Sequence, residues 1–156
     1  AGISVIAYDN NSDVGGNWIY NENESPSSVF ETTHIISSKT LSQYEDFPFR
    51  PEVSDYPSHE ELRHYFQSYA KHFKLYQHIE FNTLVKSCER KDNGLWEVTT
   101  IKDEHKQVVI FTDLVVCNGH HWEPKYPNYP GKFSGSFLHS HQIATLRKST
   151  TTYLNN

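Results

Sequence analysis

The chain has 156 residues, of which 36% are hydrophobic and 21% are charged, and its formal net charge is −5. This size and composition are typical of one folded domain and argue against a disordered chain. The negative charge, without a cluster of Lys and Arg, argues against nucleic-acid binding, and no apolar run reaches the roughly 20 residues of a membrane-spanning helix. We therefore expect no nucleic-acid partner and no membrane segment within this span.

The chain contains two cysteines and no methionine. Cys88 and Cys117 lie at no metal-binding spacing, and the pair predicts free thiols in a reducing compartment. No signal peptide is visible. We expect a cytoplasmic location, or one on the cytoplasmic side of a membrane. Because the chain begins at Ala1 and directly enters a strand-like segment, we expect it to be a piece of a longer protein.

The first part of the chain predicts one short strand followed by loops. Residues 4–9 are mostly apolar and predict a strand. Residues 9–18 are rich in turn formers, and a polar loop follows at 21–28. β-Branched residues favour extended structure over 29–38. Three prolines predict a loop over 44–57.

Residues 58–73 carry the pattern of an amphipathic helix. Ser58 is a favourable N-cap residue, and Glu61 stands three residues later, which completes a capping box. The apolar side chains fall at helical spacing and predict one buried face, made of Leu62, Tyr65, Phe66 and Tyr69.

The second half of the chain predicts an antiparallel meander. Residues 84–90 and 96–101 flank an Asp-Asn-Gly turn, which is typical of a hairpin. Further strands are predicted at 79–81 and 107–111, and the apolar run 114–117 predicts a buried parallel strand. We expect a surface loop over 120–131 and an unstructured tail over 148–156. The order of elements predicts an α/β fold with an inserted antiparallel β-meander.

One candidate site follows the first predicted strand. An acidic residue at the end of such a strand, here Asp9, is where a dinucleotide-binding fold holds a ribose, through hydrogen bonds to both hydroxyls. Gly15 and Gly16 would let a ligand approach the backbone without meeting a Cβ atom. Alternatively, Asp9 opens an ordinary turn and the glycines belong to a loop, because no Gly-rich phosphate loop precedes them.

Three other groups of residues are candidate sites. The first group is the histidines His120, His121, His139 and His141. His139 and His141 stand at a spacing that would place both on one face of a strand, where they would bind zinc, whereas His120 and His121 would point in opposite directions if extended. The alternative is loop histidines that pack against aromatic rings. Cys88 and Cys117 fit buried small residues better than nucleophiles. The aromatic segment 44–49, with Trp18, would wall a planar ring or form core beneath a loop.

Four motifs in order resemble the flavin-containing monooxygenases. FSGSFLH carries the family's Phe-x-Gly-x-x-x-His fingerprint, with Phe133, Gly135 and His139 in the fixed positions. VGGNW is similar to the family's Gly-Gly-x-Trp. The other two are ISSKTLSQYEDFPF and VVCNGHHWEPKYPNYPG. The resemblance runs from residue 4 to about 147. It implies a partial FAD-binding, Rossmann-like domain over 1–147.

The resemblance implies a role for individual positions. Asp9 stands where the family binds the adenosine ribose of FAD. Val85 stands where a backbone meets the adenine. The positions that line the flavin cleft or lie beside it are Gly15, Gly16, Asn17, Trp18, Ile36 and Ser37. Gly119, also implied as a cofactor-binding position, ends the strand that leads to the inter-domain connection. Many family members have Asn where this chain has Ile36, so a hydrogen-bonding amide beside the flavin ring is lost. The fingerprint residues join the FAD and NADPH domains, and no catalytic or metal-binding residue is implied.

The implied function is an FAD- and NADPH-dependent monooxygenase. In the family, reduced flavin and molecular oxygen form a C4a-hydroperoxide that oxygenates a soft nitrogen or sulfur nucleophile, or a carbonyl in related enzymes. Both Gly-rich nucleotide loops lie outside this span, so we expect the isolated chain to be inactive. Two alternatives stay open. One is a disulfide reductase, which would need a Cys pair beside the flavin. The other is a truncated, non-enzymatic relative that acts as a binding module.

Overall fold

The computed structural model describes residues 2–21, 29–119, 123–135, 137 and 139–140. The chain forms two compact units. The first contains residues 1–14 and 67–118, and the second contains residues 15–66 and 119–156.

A short parallel pair of strands begins the first unit. Strand β1 (Ala7–Tyr8) pairs with β2 (Ile79–Glu80), so that Ala7 faces Ile79. The backbone pairing continues past the strands, because the amide of Asp9 donates to the carbonyl of Glu80 at 3.0 Å. A 3₁₀ helix, Leu75–His78, leads into β2. Residues 9–11 therefore lie beside the segment that follows β2.

The first unit also contains a three-stranded antiparallel meander. Its strands are β3 (Leu84–Arg90), β4 (Trp96–Lys102) and β5 (His105–Phe111), with β4 in the centre. The buried residues of β4 are Val98, Thr99 and Thr100. Gly94, with a φ of 83°, closes the turn between β3 and β4. The hairpin and third strand predicted from the sequence are confirmed.

Two helices and an aromatic cluster shape the second unit. Helix α1 covers Lys39–Ser42, and α2 covers His59–His72, with its last turns in the first unit. Leu62 and Tyr65 of α2 pack with Phe49 to form the buried core. Partly buried side chains surround this core: Trp18, Ile35, Phe47, Val53 and Phe66. Residues 44–57 form a loop, as their prolines predict.

Helix α2 begins with the predicted capping box. The backbone amide of Ser58 donates to Glu61 Oε2 at 2.8 Å, and the amide of Glu61 donates to Ser58 Oγ at 3.3 Å. Ser54 adds its own hydroxyl and amide as donors to the same carboxylate. The hydrogen bond from the Ser58 backbone is the main reason that the pKa of Glu61 falls from 4.5 to about 2.

Two predicted strands and one segment predicted to be extended differ from the structure. β1 covers only two residues of the predicted 4–9, because only these pair with β2. Residues 29–38 contain turns and a single bridge, His34 to Ser58, so the prediction of extended structure there is wrong. Residues 114–117 form no strand: Val115 is 81% and Val116 69% exposed. The described residues place neither a neighbouring strand nor a covering helix beside this run, and β-branched residues alone do not make a sheet.

The later segments match the sequence where they are described. Residues 123–131 are largely exposed and form no helix or strand, as expected of a surface loop. The tail 148–156 and its boundary at 147 lie outside the described residues. The α/β class with an antiparallel meander is confirmed by the mixed sheet topology. In the ranges that the structure describes, no helix has the length and hydrophobicity needed to cross a membrane.

The capping box generates a stability prediction. Glu61→Ala in the full-length protein should lower the free energy of unfolding by about 1 kcal/mol at pH 7, since several backbone and hydroxyl donors lose their acceptor. The folded pKa lies below 4.5, so this stabilisation is present above pH 4.5. It should fade as the pH falls from 4.5 to about 2. Urea unfolding across this range measures the difference.

Glu60→Ala is the matched control for this prediction. Glu60 is the adjacent exposed residue in the first turn of α2. Its loss should change the unfolding free energy by less than about 0.5 kcal/mol. Equal losses from the two variants, or a Glu61 effect that does not change with pH, would contradict the capping account.

Candidate functional site

Asp9 lies at the carboxyl end of β1 in the first unit. Its Oδ1 accepts a hydrogen bond from the backbone amide of Asn11 at 2.8 Å, which closes a tight turn. Asp9 is half-buried, and the described part of the chain provides no hydrogen bond to Oδ2. The carboxylate is therefore held by one oxygen, and the other oxygen is able to accept donors from a ligand.

Val85 belongs to the same unit and follows the strand that pairs with β1. The amide of Thr83 donates to the carbonyl of Asp9 at 2.9 Å, and the amide of Asn82 donates to the carbonyl of Asn11 at 2.9 Å. Thr83 is fully buried. Val85 comes two residues later, at the start of β3, and its side chain is 38% exposed. The structure thus places the backbone of Asp9 beside the segment that leads to Val85.

The two glycines of VGGNW have different structural roles in the second unit. Gly15 has a φ of 142°, and a Cβ there would lie 2.9 Å from Ile19 Cγ1 and 3.3 Å from Arg63 Cγ. Gly16 has a φ of 50°, is exposed, and has open space where its Cβ would stand. Gly15 therefore serves the packing of the turn, whereas Gly16 leaves its backbone open to a ligand.

Asn17 and Trp18 continue this turn as a 3₁₀ helix, Gly16–Trp18. The amide of Trp18 donates to the carbonyl of Gly15 at 2.9 Å. The Trp18 ring packs against the buried core of the second unit. The indole thus anchors the turn to the core and serves a packing role.

The aromatic segment 44–49 is held by Tyr65 of α2. The Tyr65 hydroxyl donates to the carbonyl of Phe47 at 2.6 Å and accepts from the amide of Tyr44 at 2.8 Å. The ring of Phe49 stacks on Tyr65 at a centroid distance of 3.9 Å. Of the two interpretations of this segment, the structure supports core beneath a loop.

Ile36 and Ser37 stand at the start of the segment that leads to α1. The Ile36 side chain is 99% exposed, and it offers only an apolar surface. The Ser37 hydroxyl lies 2.7 Å from that of Ser42. The next turn is fixed by Lys39, whose Nζ donates to the carbonyls of Pro51 and Val53.

The fingerprint residues lie in the last described part of the second unit. Phe133 is 78% exposed, and its Cζ lies 2.6 Å from where a Cβ of Gly135 would stand. The spacing Phe-x-Gly therefore has a local cause, because the ring occupies the space of a side chain at 135. The ring centroid of His139 lies 5.0 Å from that of Tyr126. Gly119 has a φ of 72°, a value that favours glycine.

The structure shows where some of the candidate histidines and both cysteines lie. His120, His121 and His141 lie outside the described residues. His139 packs against an aromatic ring, in line with one of the two interpretations. Within the described ranges, no three His, Cys, Asp or Glu side chains are arranged to hold a metal ion. Cys88 and Cys117 are free and exposed, so the prediction that they are buried small residues is wrong.

One anchoring residue was not identified from the sequence. Asp13 accepts hydrogen bonds from Gln67 Nε2 at 2.7 Å and from the Tyr76 hydroxyl at 2.8 Å. These partners are separated from Asp13 by 54 and 63 residues. An aspartate shortly before a glycine pair was the available signal, and it does not reveal such distant partners.

The chain is similar in sequence to known flavin monooxygenases. Residues 1–149 match the family model described as "Flavin-binding monooxygenase-like". The chain is 32% identical over 151 residues to dimethylaniline monooxygenase (N-oxide-forming) 2 of Oryctolagus cuniculus. This match covers 90% of the chain and 28% of that relative, so the chain spans less than a third of its length.

Solved structures show the same fold. The S-allyl-L-cysteine S-oxygenase from Allium sativum superposes with a TM-score of 0.84 at 23% identity, over 92% of this chain and 37% of that one. A complex of OTEMO with FAD and NADP superposes with a TM-score of 0.66 at 25% identity, over 94% of this chain and 27% of that one.

The two glycines generate a prediction about stability. Gly15→Ala should lower the unfolding free energy of the full-length protein by about 3 kcal/mol, because it combines backbone strain with contacts to Ile19 and Arg63. Gly16→Ala should lower it by about 1 kcal/mol, since it adds only the strain of a left-handed residue. Chemical denaturation of both variants measures the difference. Equal losses would show that Gly15 does not have the packing role described.

Proposed function

The chain belongs to the flavin-binding monooxygenase-like family, and from this membership we propose that it forms part of the FAD site of an NADPH-dependent monooxygenase. The substrate would be a small molecule with a soft nitrogen or sulfur nucleophile, and the oxidant would be molecular oxygen. The relative that forms N-oxides supports a nitrogen substrate, and the neighbour solved with FAD and NADP supports both cofactors.

The observation that carries this proposal is the state of the Asp9 carboxylate. It stands at the carboxyl end of a parallel strand, which is where open α/β sheets bind nucleotides. Oδ1 is used by the turn, whereas the described residues leave Oδ2 without a donor. Two vicinal hydroxyls of a ribose would supply such donors. The first unit therefore fits the adenosine end of FAD, and Val85 comes two residues after Thr83, whose amide donates to the carbonyl of Asp9.

The second unit fits the cofactor through different features. The open space at Gly16 would let a flat or charged group approach the backbone. Trp18 would keep this turn rigid, because its ring is packed into the core. When bound, the flavin supplies the redox chemistry, accepting hydride from NADPH and activating oxygen. The residues of this chain bind and orient it, and none of them is proposed as a proton donor or acceptor.

We also propose a location that faces the cytosol. NADPH and a reducing environment are available there, and two exposed free thiols are stable in that environment. The free, exposed state of Cys88 and Cys117 supports this placement.

Flavin titration tests the proposed role of Asp9. In the full-length protein, Asp9→Ala should weaken FAD binding by about 10- to 100-fold, the effect of losing charge-assisted hydrogen bonds. Binding of FMN, which lacks the adenosine half, should not change. Asp113→Ala, at an exposed aspartate of the same unit, is the control. Equal affinities of wild type and Asp9→Ala for FAD would contradict the proposal.

Product analysis tests the proposed substrate class. The full-length protein, supplied with FAD, NADPH and oxygen, should convert a tertiary amine to its N-oxide or a thioether to its sulfoxide. A cyclic ketone should remain unchanged. Mass spectrometry identifies the products, and NADPH consumption gives the coupling. Conversion of the ketone to a lactone, with no product from the amine or the thioether, would overturn this assignment.

A further inference from the structure

We propose that Asp13 is a positioning residue for the nucleotide site, which holds the turn of Asp9 in the geometry that receives a ribose. This inference rests on the proposed function, because it concerns the same carboxylate. It assigns to Asp13 an indirect role through the backbone of residues 9–13.

The Asp13 carboxylate is a point where three elements meet. Oδ1 accepts from the Tyr76 hydroxyl at 2.8 Å and from the amide of Val14 at 2.7 Å, and Oδ2 accepts from Gln67 Nε2 at 2.7 Å. Gln67 belongs to α2, and Tyr76 belongs to the 3₁₀ helix before β2. The bonds from Gln67 and Tyr76 join the loop after β1 to two other elements, whereas the bond from Val14 is local.

The other end of this loop is held by the backbone. Asp9 is paired with Glu80 and Thr83, and the carbonyl of Asn11 accepts from the amide of Asn82 at 2.9 Å. The loop is therefore fixed before, within and after its turn. Only Ser12 separates the last backbone bond from the carboxylate of Asp13.

Losing the Asp13 anchor would release the loop on one side. The Asp9 turn would keep its bond to Asn11, but the orientation of this turn would be less restricted. Hydrogen bonds to a ligand require positions defined within a few tenths of an ångström, so a mobile carboxylate binds its partner more weakly. The expected effect is a loss of FAD affinity that depends on the presence of Asp9.

A double-mutant cycle in the full-length protein measures this dependence. FAD dissociation constants are determined for the wild type, Asp9→Ala, Asp13→Ala and the double variant. Asp13→Ala alone should weaken FAD binding by about 10-fold. When Asp9 is already replaced, Asp13→Ala should cause no further loss of FAD affinity, so the double variant should bind FAD as tightly as Asp9→Ala does. FMN affinity should be the same in all four proteins.

Two milder variants keep the test valid if Asp13→Ala does not fold. Tyr76→Phe removes one hydroxyl donor and should weaken FAD binding by about 3-fold, again only when Asp9 is present. Asp13→Asn should keep most of the FAD affinity that Asp13→Ala loses. The asparagine oxygen still accepts from the Tyr76 hydroxyl, and the Gln67 amide can rotate so that its oxygen accepts from the asparagine nitrogen. Asp113→Ala is the matched control at an exposed aspartate.

The outcomes separate this inference from the proposed function. If Asp9→Ala does not affect FAD binding, the ribose assignment fails and the positioning role fails with it. If Asp9→Ala weakens binding but Asp13→Ala and Tyr76→Phe do not, only the positioning role is overturned. Additive losses in the double variant would also overturn it, because they would show that Asp13 acts independently of Asp9. The inference is supported if Asp13→Ala weakens FAD binding in the protein that retains Asp9 and has no further effect in the Asp9→Ala variant.

Discussion

The second unit depends on one buried hydroxyl, that of Tyr65. It donates to the carbonyl of Phe47 and accepts from the amide of Tyr44, and an unsatisfied buried polar group would cost about 1–3 kcal/mol. These two bonds keep the segment 44–49 against α2, where Phe49 stacks on the same tyrosine. A segment with no helix and one isolated bridge thereby contributes to the core, and the Trp18 ring packs on this core. Through Trp18 the Gly-Gly turn is anchored to this core.

In the first unit, carboxylates hold the loop after β1 in place, as the Tyr65 hydroxyl holds the segment 44–49 in the second unit. Asp9 closes its own turn through Asn11, and Asp13 joins the same loop to Gln67 and Tyr76. Charged acceptors make strong hydrogen bonds, so a loop of five residues can be ordered without an apolar core of its own. One oxygen of Asp9 remains available, and this is the atom on which the proposed function depends. The fixed loop holds the available oxygen in one position, and a ligand binds more tightly to a group that is already in place.

Local patterns in the sequence predicted the structure well, and patterns that need distant partners did not. The capping box of Ser58 and Glu61 and the hairpin around Gly94 depend on residues a few positions apart, and both are confirmed. The apolar run 114–117 looked like a buried strand, but a strand also requires neighbours, which no residue type can specify. Asp9 and the glycine pair were recognisable as candidate site residues from the order of residues along the chain. Asp13 was not, because its partners are 54 and 63 residues away.

A crystal structure of the full-length protein with FAD bound tests the central claim most directly. The account predicts that Asp9 Oδ2 lies within hydrogen-bond distance of a ribose hydroxyl of the adenosine, about 2.5–3.0 Å. The turn of Asp9 and Asn11 should be unchanged in this complex. An adenosine bound elsewhere, with Asp9 Oδ2 facing only solvent, would contradict the account.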